Sequence, residues 1–337
     1  MIERHFGESA PLSLGVEEEL MILDAETLEP AAGVEALVRG AAERDLPGTL
    51  KTELHASVVE LTTPVCESIE EAVSCLRALR VAAAEIAAAN GLAVAAAGSH
   101  PTATLESLPV VQEDRYLTMI REIGRAARRQ GVNGLHVHVG VESADACWER
   151  LESVLPWLPV VLAVSANSPF VDGEPSGMLS NRAPILAELP RAGAPPAFGS
   201  YDGWERWVER LVSLGVMADY TRIWWDVRPH PKLGTLEIRV ADQPTSLGRT
   251  ALLVRMLRDL VRDAPSREAD RGDYLQNRWA AASAGLDAML LHPDGGSVAT
   301  AHELALELLG AEPPEPEALA QLRAGDVAAD LVTRTLG

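Results

Sequence analysis

Three pairs of ionisable residues, each pair two apart within an alternating apolar run, are the first candidates for chemistry: Glu17 with Glu19, His136 with His138, and Glu237 with Arg239. Residues two apart on a strand share a face. Each pair therefore projects away from its apolar neighbours, and on adjacent strands the three would form a patch of carboxylates, imidazoles and one guanidinium. Close carboxylates repel and take up protons unless cations neutralise them. Oxygen-rich sites with a few imidazoles suit Mg²⁺, with Mn²⁺ as the alternative ion. An arginine beside the acids calls for an anion as well, and a nucleotide phosphate is the obvious one. One alternating pair alone ordinarily marks a solvated sheet face; three pairs in one chain weigh against that reading.

Two further acids, Glu53 and Glu60, lie in the segment 53–62, whose β-branched end reads as a strand stopped by Pro64. Seven apart, they fall on opposite faces of a straight strand and converge only where it bends or bulges. Glu18 falls on the apolar side with Leu14, Val16 and Leu20, at a sheet edge or beside a partner, and no chemistry is assigned to it. His5, His55, His100, His292 and His302 read as surface or packing residues. Trp224-Trp225 reads mainly as core, with one ring available to line a nucleotide pocket.

These residues need strands to carry them. Residues 12–23, 135–141, 223–227 and 235–241 have strand character, and 92–98 is a short buried strand. Ser68, with Glu71 three residues on, opens a helix that stops at Asn90-Gly91. Helical patterns cover 114–130, 144–166, 204–214 and most of the chain from Ser246, with a Pro- and Glu-rich break near 312–317. The Pro- and Gly-dense stretch 168–200 reads as a long loop, a feature more often functional than idle. Strands and helices do not follow a βαβ rhythm, which predicts an α+β fold with an antiparallel sheet. One catalytic domain over 1–337 is expected, its sheet core spanning about 10–245 and a mostly helical part 246–337.

Composition narrows the function. With 337 residues, 47% hydrophobic and 23% charged, the chain can bury a large core. No apolar run reaches the ~20 residues that span a bilayer, and residues 1–5 lack a signal-peptide pattern. Cys66, Cys75 and Cys147 form no CxxC pair, which argues against a disulfide framework and for a reducing cytoplasm. A net charge of −20 excludes nucleic acid and anionic membranes as partners. Lys51 and Lys232 are the only lysines, so Schiff-base chemistry has almost no candidates. P-loop, Rossmann, zincin and α/β-hydrolase motifs are missing from the sequence.

Five motifs then occur in order: Gly15-Val16-Glu17-Glu18-Glu19; Glu53 followed by Val59-Glu60-Leu61-Thr62; Gly134-Leu135-His136-Val137-His138-Val139-Gly140; Trp225-Asp226-Val227-Arg228-Pro229; and Gly234-Thr235-Leu236-Glu237-Ile238-Arg239. Together they resemble the YbdK-type carboxylate–amine ligases of the glutamate–cysteine ligase 2 family, over most of the chain to at least Asn277-Arg278-Trp279. The resemblance implies a fold related to the glutamine synthetase catalytic domain, an antiparallel sheet funnel flanked by helices, with metal ions between ATP and an amino acid on its inner face. Carried over residue by residue, it implies Glu17, Glu19, Glu53, Glu60, His136 and Glu237 as metal ligands, Glu53 standing where the family often has aspartate. It implies that Arg239 contacts the transferred phosphate beside Glu237, that His138 lies near the nucleotide phosphates, and that Arg182, Arg228 and Arg278 are anion contacts.

The implied reaction is ATP-dependent: a glutamate-like carboxylate is activated as an acyl phosphate, then captured by cysteine or another amine to give an amide. A homodimer is expected from the same resemblance. The alternatives are a metal-dependent amide hydrolase, which leaves Arg239 without a role, and a non-catalytic nucleotide- or amino-acid-binding protein. On this reading Glu237→Gln removes a metal ligand at constant size and abolishes turnover with little change in thermal stability.

Overall fold

Seven strands form the sheet at the centre of the computed structural model, which describes residues 2–336. They are β1 (Leu14–Asp24), β2 (Thr49–Thr52), β3 (Val58–Thr62), β4 (Leu92–Ala95), β5 (Leu135–Gly140), β6 (Val227–His230) and β7 (Thr235–Ile238). Their order is β6-β7-β5-β1-β3-β2, with β4 also beside β1, and every pairing is antiparallel. The long strand β1 meets β5 along residues 14–18, β3 along 17–21 and β4 along 21–24.

Alternation decides what each face does. Leu14, Val16, Val137, Val139, Leu236 and Ile238 enter one buried cluster with residues of the helices Ile69–Ala89, Ala144–Val154, Leu158–Ser165 and Leu247–Asp263. A second cluster takes Leu20, Ile22, Val59 and Leu61 against the helices Val34–Ala42 and Ile69–Ala89. The opposite face carries the ionisable pairs, followed on β1 by Met21 and Leu23, which enter a third buried cluster with Ala95, Ala97 and Leu331. Helix starts follow their capping chemistry: the Ser68 hydroxyl accepts from the Glu71 N–H at 3.1 Å, while the Glu71 carboxylate reaches the Glu67 N–H rather than closing a capping box on Ser68.

Four expectations are corrected. Residues 53–62 are not one strand; β2 ends at Thr52, β3 begins at Val58, and Glu53 lies in the connection between them. The helix expected over 114–130 is split at Gly124, whose φ of 73° ends one helix at Ile123 before a short one over Arg125–Arg128. Pro156 lies in a tight turn, Leu155–Trp157, that separates two helices in 144–166. Arg228 and Pro229, expected in a connecting loop, are inside β6, so Arg228 stands directly opposite Glu237. The stretch 168–200 is largely irregular as expected, but carries a short helix at Arg182–Leu186.

Candidate active site

The register brings the three sequence pairs together. Glu17 sits opposite His136, Glu19 opposite Glu60, and His138 lies between Gly15 on β1 and Glu237 on β7. Arg228 on β6 and Lys51 on β2 extend the row at its two ends, opposite Glu237 and Glu60. The Glu53–Glu60 parity problem disappears because the two acids belong to a bend and a strand of one hairpin. No bulge is needed.

Each acid already has a partner. The Glu17 carboxylate is 3.3 Å from His136 Nδ1 and 3.5 Å from His138 Nε2. Burial pushes Glu17 up, but its imidazole neighbours overcome this and hold it well below the usual carboxylate range. Burial disfavours a charge on His138, yet Glu17 and Glu237 raise its pKa above the ordinary imidazole value. Burial and the Arg239 charge push His136 down to about 3, so it stays neutral. Glu237 accepts from Arg228 Nε and Nη2 at 2.6 and 3.1 Å and from Arg239 Nη1 at 2.5 Å. Those two guanidiniums outweigh its burial and keep it ionised. Glu19 accepts the Gly134 N–H at 2.5 Å. Burial and the nearby Glu53 still push it up to about 8. Burial and the neighbouring acids likewise push Glu60 up to about 7.

Beside this row opens a cavity of about 330 Å³. Glu19, Glu53, His136, Arg182 and Arg239 line its ionic end. Arg182 is the keystone of that end: Nη1 donates to the Arg239 carbonyl at 2.9 Å and Nη2 lies 3.3 Å from His136 Nε2. Its guanidinium occupies the space where a side chain on Gly134 would begin. Gly134→Ala is therefore expected to displace Arg182 and lower turnover roughly 10- to 100-fold, since small misplacements of a positioning group carry that cost. Steady-state rates, with a melting curve to confirm that the variant is folded at the assay temperature, check it.

Not every residue singled out by sequence reaches the cavity: Glu17, Glu60, His138 and Glu237 stand in the row beside it and are not among its lining residues. Arg228 is spent on Glu237 and on the carbonyls of Thr221 and Ile223. Arg278 is locked on Asp226 at 2.5 and 3.2 Å, where the Tyr274 hydroxyl also donates, and is not among the residues lining the cavity. Both arginines hold the scaffold, Arg228 directly behind Glu237. Conversely, Arg115, Tyr116, Met119, Leu186, Leu189 and Arg222 line the cavity, and sequence reasoning passed them over. They lie on helices and loops, where no period-two alternation marks the inward side.

The donor set fits a hard divalent cation. Carboxylates from three strands and the β2–β3 connection meet a neutral imidazole, and Glu19, Glu53 and Glu60 carry pKa values raised by burial and by neighbouring acids, a state that a cation relieves. Among the described residues no three His, Cys, Asp or Glu side chains converge closely enough to hold an ion as they stand. They turn instead to arginine, histidine and backbone partners.

Comparison with known proteins identifies the fold first. The chain superposes on a bifunctional glutathione synthetase from Pasteurella multocida with a TM-score of 0.63 at 18% identity, covering 97% of this chain and 51% of that one. A glutamate–cysteine ligase from Francisella tularensis in complex with AMP gives 0.62 at 16% identity, covering 97% and 82%. The profile of glutamate-cysteine ligase family 2 matches residues 13–326. "Putative glutamate--cysteine ligase 2-3" of Rubrobacter xylanophilus is 39% identical over 313 residues, covering 92% of this chain and 85% of the relative. A Rhodospirillum rubrum "Putative glutamate--cysteine ligase 2" is 37% identical over 309 residues, covering 88% and 79%. The chain belongs to glutamate–cysteine ligase family 2, and with it to the ligases. No helix among the described residues is long and apolar enough to cross a membrane.

Proposed function

We propose that this protein is a Mg²⁺-dependent enzyme that uses ATP to join a carboxylate to an amine through an acyl phosphate. One observation carries the reading: Glu19, Glu53 and His136 share a cavity end with the guanidiniums of Arg182 and Arg239. A hydrolase that activates water on a metal has no use for two arginines there, whereas a triphosphate does.

In the first step the substrate carboxylate attacks the γ-phosphorus, and the bond to the β,γ-bridging oxygen breaks to release ADP. Arg239 offsets the charge on the transferred phosphoryl group, with Arg182 beside it. Arg228 acts through Glu237, which it orients, and His138, whose acidic neighbours favour its charged form, faces the nucleotide phosphates. In the second step the amine attacks the acyl carbon, the carbon–oxygen bond to phosphate breaks, and the amine gives up a proton. Glu17, Glu19, Glu53, Glu60, His136 and Glu237 are the proposed Mg²⁺ ligands; the ion, when bound, neutralises phosphate charge. Glutamate, with a γ-glutamyl product, is the first carboxylate to try because the relatives' names carry it.

The test is ADP release from purified protein with Mg-ATP, against amino acids singly and in pairs. The expected result is release that needs both a carboxylate and an amine donor and stops when EDTA removes the divalent cation. Turnover without nucleotide, or no binding of Mg-ATP, defeats the reading.

A further inference from the structure

The cavity has two unlike ends. Away from the ionic group the lining includes an apolar stretch: Met119, Leu186 and Leu189 belong to a small buried cluster separate from the main core, and Trp224 packs on that cluster, with Arg115 and Gln130 also lining the cavity. Arg222 lines the same cavity, which this stretch of chain enters with Asp219 and Thr221, the Asp219 carboxylate accepting from Thr221 rather than from Arg222. Among the described residues its guanidinium has no carboxylate or hydrogen-bond partner, although acids outnumber lysines and arginines 49 to 29 in this chain. Its neighbour is another cation, Arg191, which donates to the Arg222 carbonyl at 2.9 Å and lies 5.8 Å from the centroid of the Trp224 ring. An unpaired arginine at the edge of an apolar wall matches a ligand that is apolar along its body and anionic at one end.

We propose that this outer end binds the amine substrate and selects α-amino acids with branched or aromatic side chains. The side chain lies on Trp224, Met119, Leu186 and Leu189, the α-carboxylate meets Arg222, and the amine points to the ionic end beside Glu53. The inference rests on the ligase reading for its designation of the ligand as substrate. A side chain as short as that of cysteine leaves most of the apolar wall uncovered. Each methylene that such a pocket accepts contributes about 10-fold or more in discrimination, so leucine and phenylalanine should exceed alanine and cysteine by at least that factor.

The experiment is isothermal titration of the full chain with L-leucine, L-phenylalanine, L-cysteine, L-alanine and isoamylamine, with and without Mg²⁺ and a non-hydrolysable ATP analogue. Leucine and phenylalanine are expected to bind at least about 10-fold tighter than cysteine and alanine. Arg222→Met should weaken the amino acids and leave isoamylamine unchanged. Leu189→Asp should erase the leucine preference, and Met119→Ala gives a milder version should Leu189→Asp fold poorly. Equal binding of cysteine and leucine overturns the proposal, as does the absence of amino-acid binding under both conditions. So does an effect of these variants on the nucleotide analogue alone, which would make the wall a base-binding surface. Binding is read without turnover, so failure of the ligase reading shows separately, as leucine binding without ADP release from any pair.

Discussion

Arg239→Met is expected to lower Mg²⁺-ATP turnover on the order of 10³-fold, the scale at which a transition-state arginine acts in phosphoryl transfer, while the melting temperature moves by no more than about 4 °C. The asymmetry comes from how the residue is held. Its N–H donates to the Asp226 carbonyl at 2.7 Å and its carbonyl accepts from Arg182, so the backbone stays in place whatever the side chain does. Its one side-chain partner, Glu237, keeps both bonds from Arg228 when Arg239 is removed. The Arg239 Nε is buried without a protein partner, a donor that an incoming phosphoryl oxygen can satisfy. Glu237→Gln behaves differently from the expectation drawn on sequence alone. It takes the carboxylate from two buried guanidiniums at once, so stability falls along with activity. Rates of ADP release and thermal melts on both variants separate the cases, and Arg239→Met turnover within tenfold of the parent would remove Arg239 from the chemistry.

What the sequence made legible was whatever follows period two. β1, β5 and β7 announce both their core face and their ionisable face, and their register then joins Glu17, His136, His138 and Glu237. The β2–β3 hairpin was hidden because Glu53–His55 lacks a Gly or Pro turn signal, so the segment joined the following β-branched run as one strand. Arg228 looked free because Pro229 suggested a loop; β6 is an outer strand of the sheet, where a missing N–H costs no ladder bond. The cavity's outer wall was illegible for a different reason. Met119, Leu186 and Trp224 come from a helix, a short helix and a two-residue strand, and nothing in local pattern says that they share a wall.

Glu18 supplies the complementary expectation, since it sits between two proposed ligands and faces the other way. Arg80 reaches it from the helix Ile69–Ala89 with Nε and Nη2, each at 2.7 Å, and both side chains are fully buried. The remaining Arg80 donors go to the carbonyls of Pro244, Thr245 and Thr335, which ties the last helix to the sheet. Glu18 also accepts from the Thr250 hydroxyl at 2.6 Å and from Gln243 Nε2 at 3.2 Å, and Gln243 Oε1 in turn accepts the Glu19 N–H. Arg80→Met leaves a buried carboxylate without its counter-charge, a loss of about 3–5 kcal/mol, or a fall in melting temperature of roughly 4–7 °C. Adding Glu18→Met should recover part of that loss, because two apolar groups restore neutrality even though the carbonyls lose their donor. Glu17→Gln, one residue away on the other face, should instead abolish turnover with a smaller thermal shift. Melting curves and ADP release across the four proteins test whether strand parity alone divides stability from catalysis in this segment; an Arg80→Met variant that melts within about 2 °C of the parent would show that the buried pair does not hold the C-terminal helix.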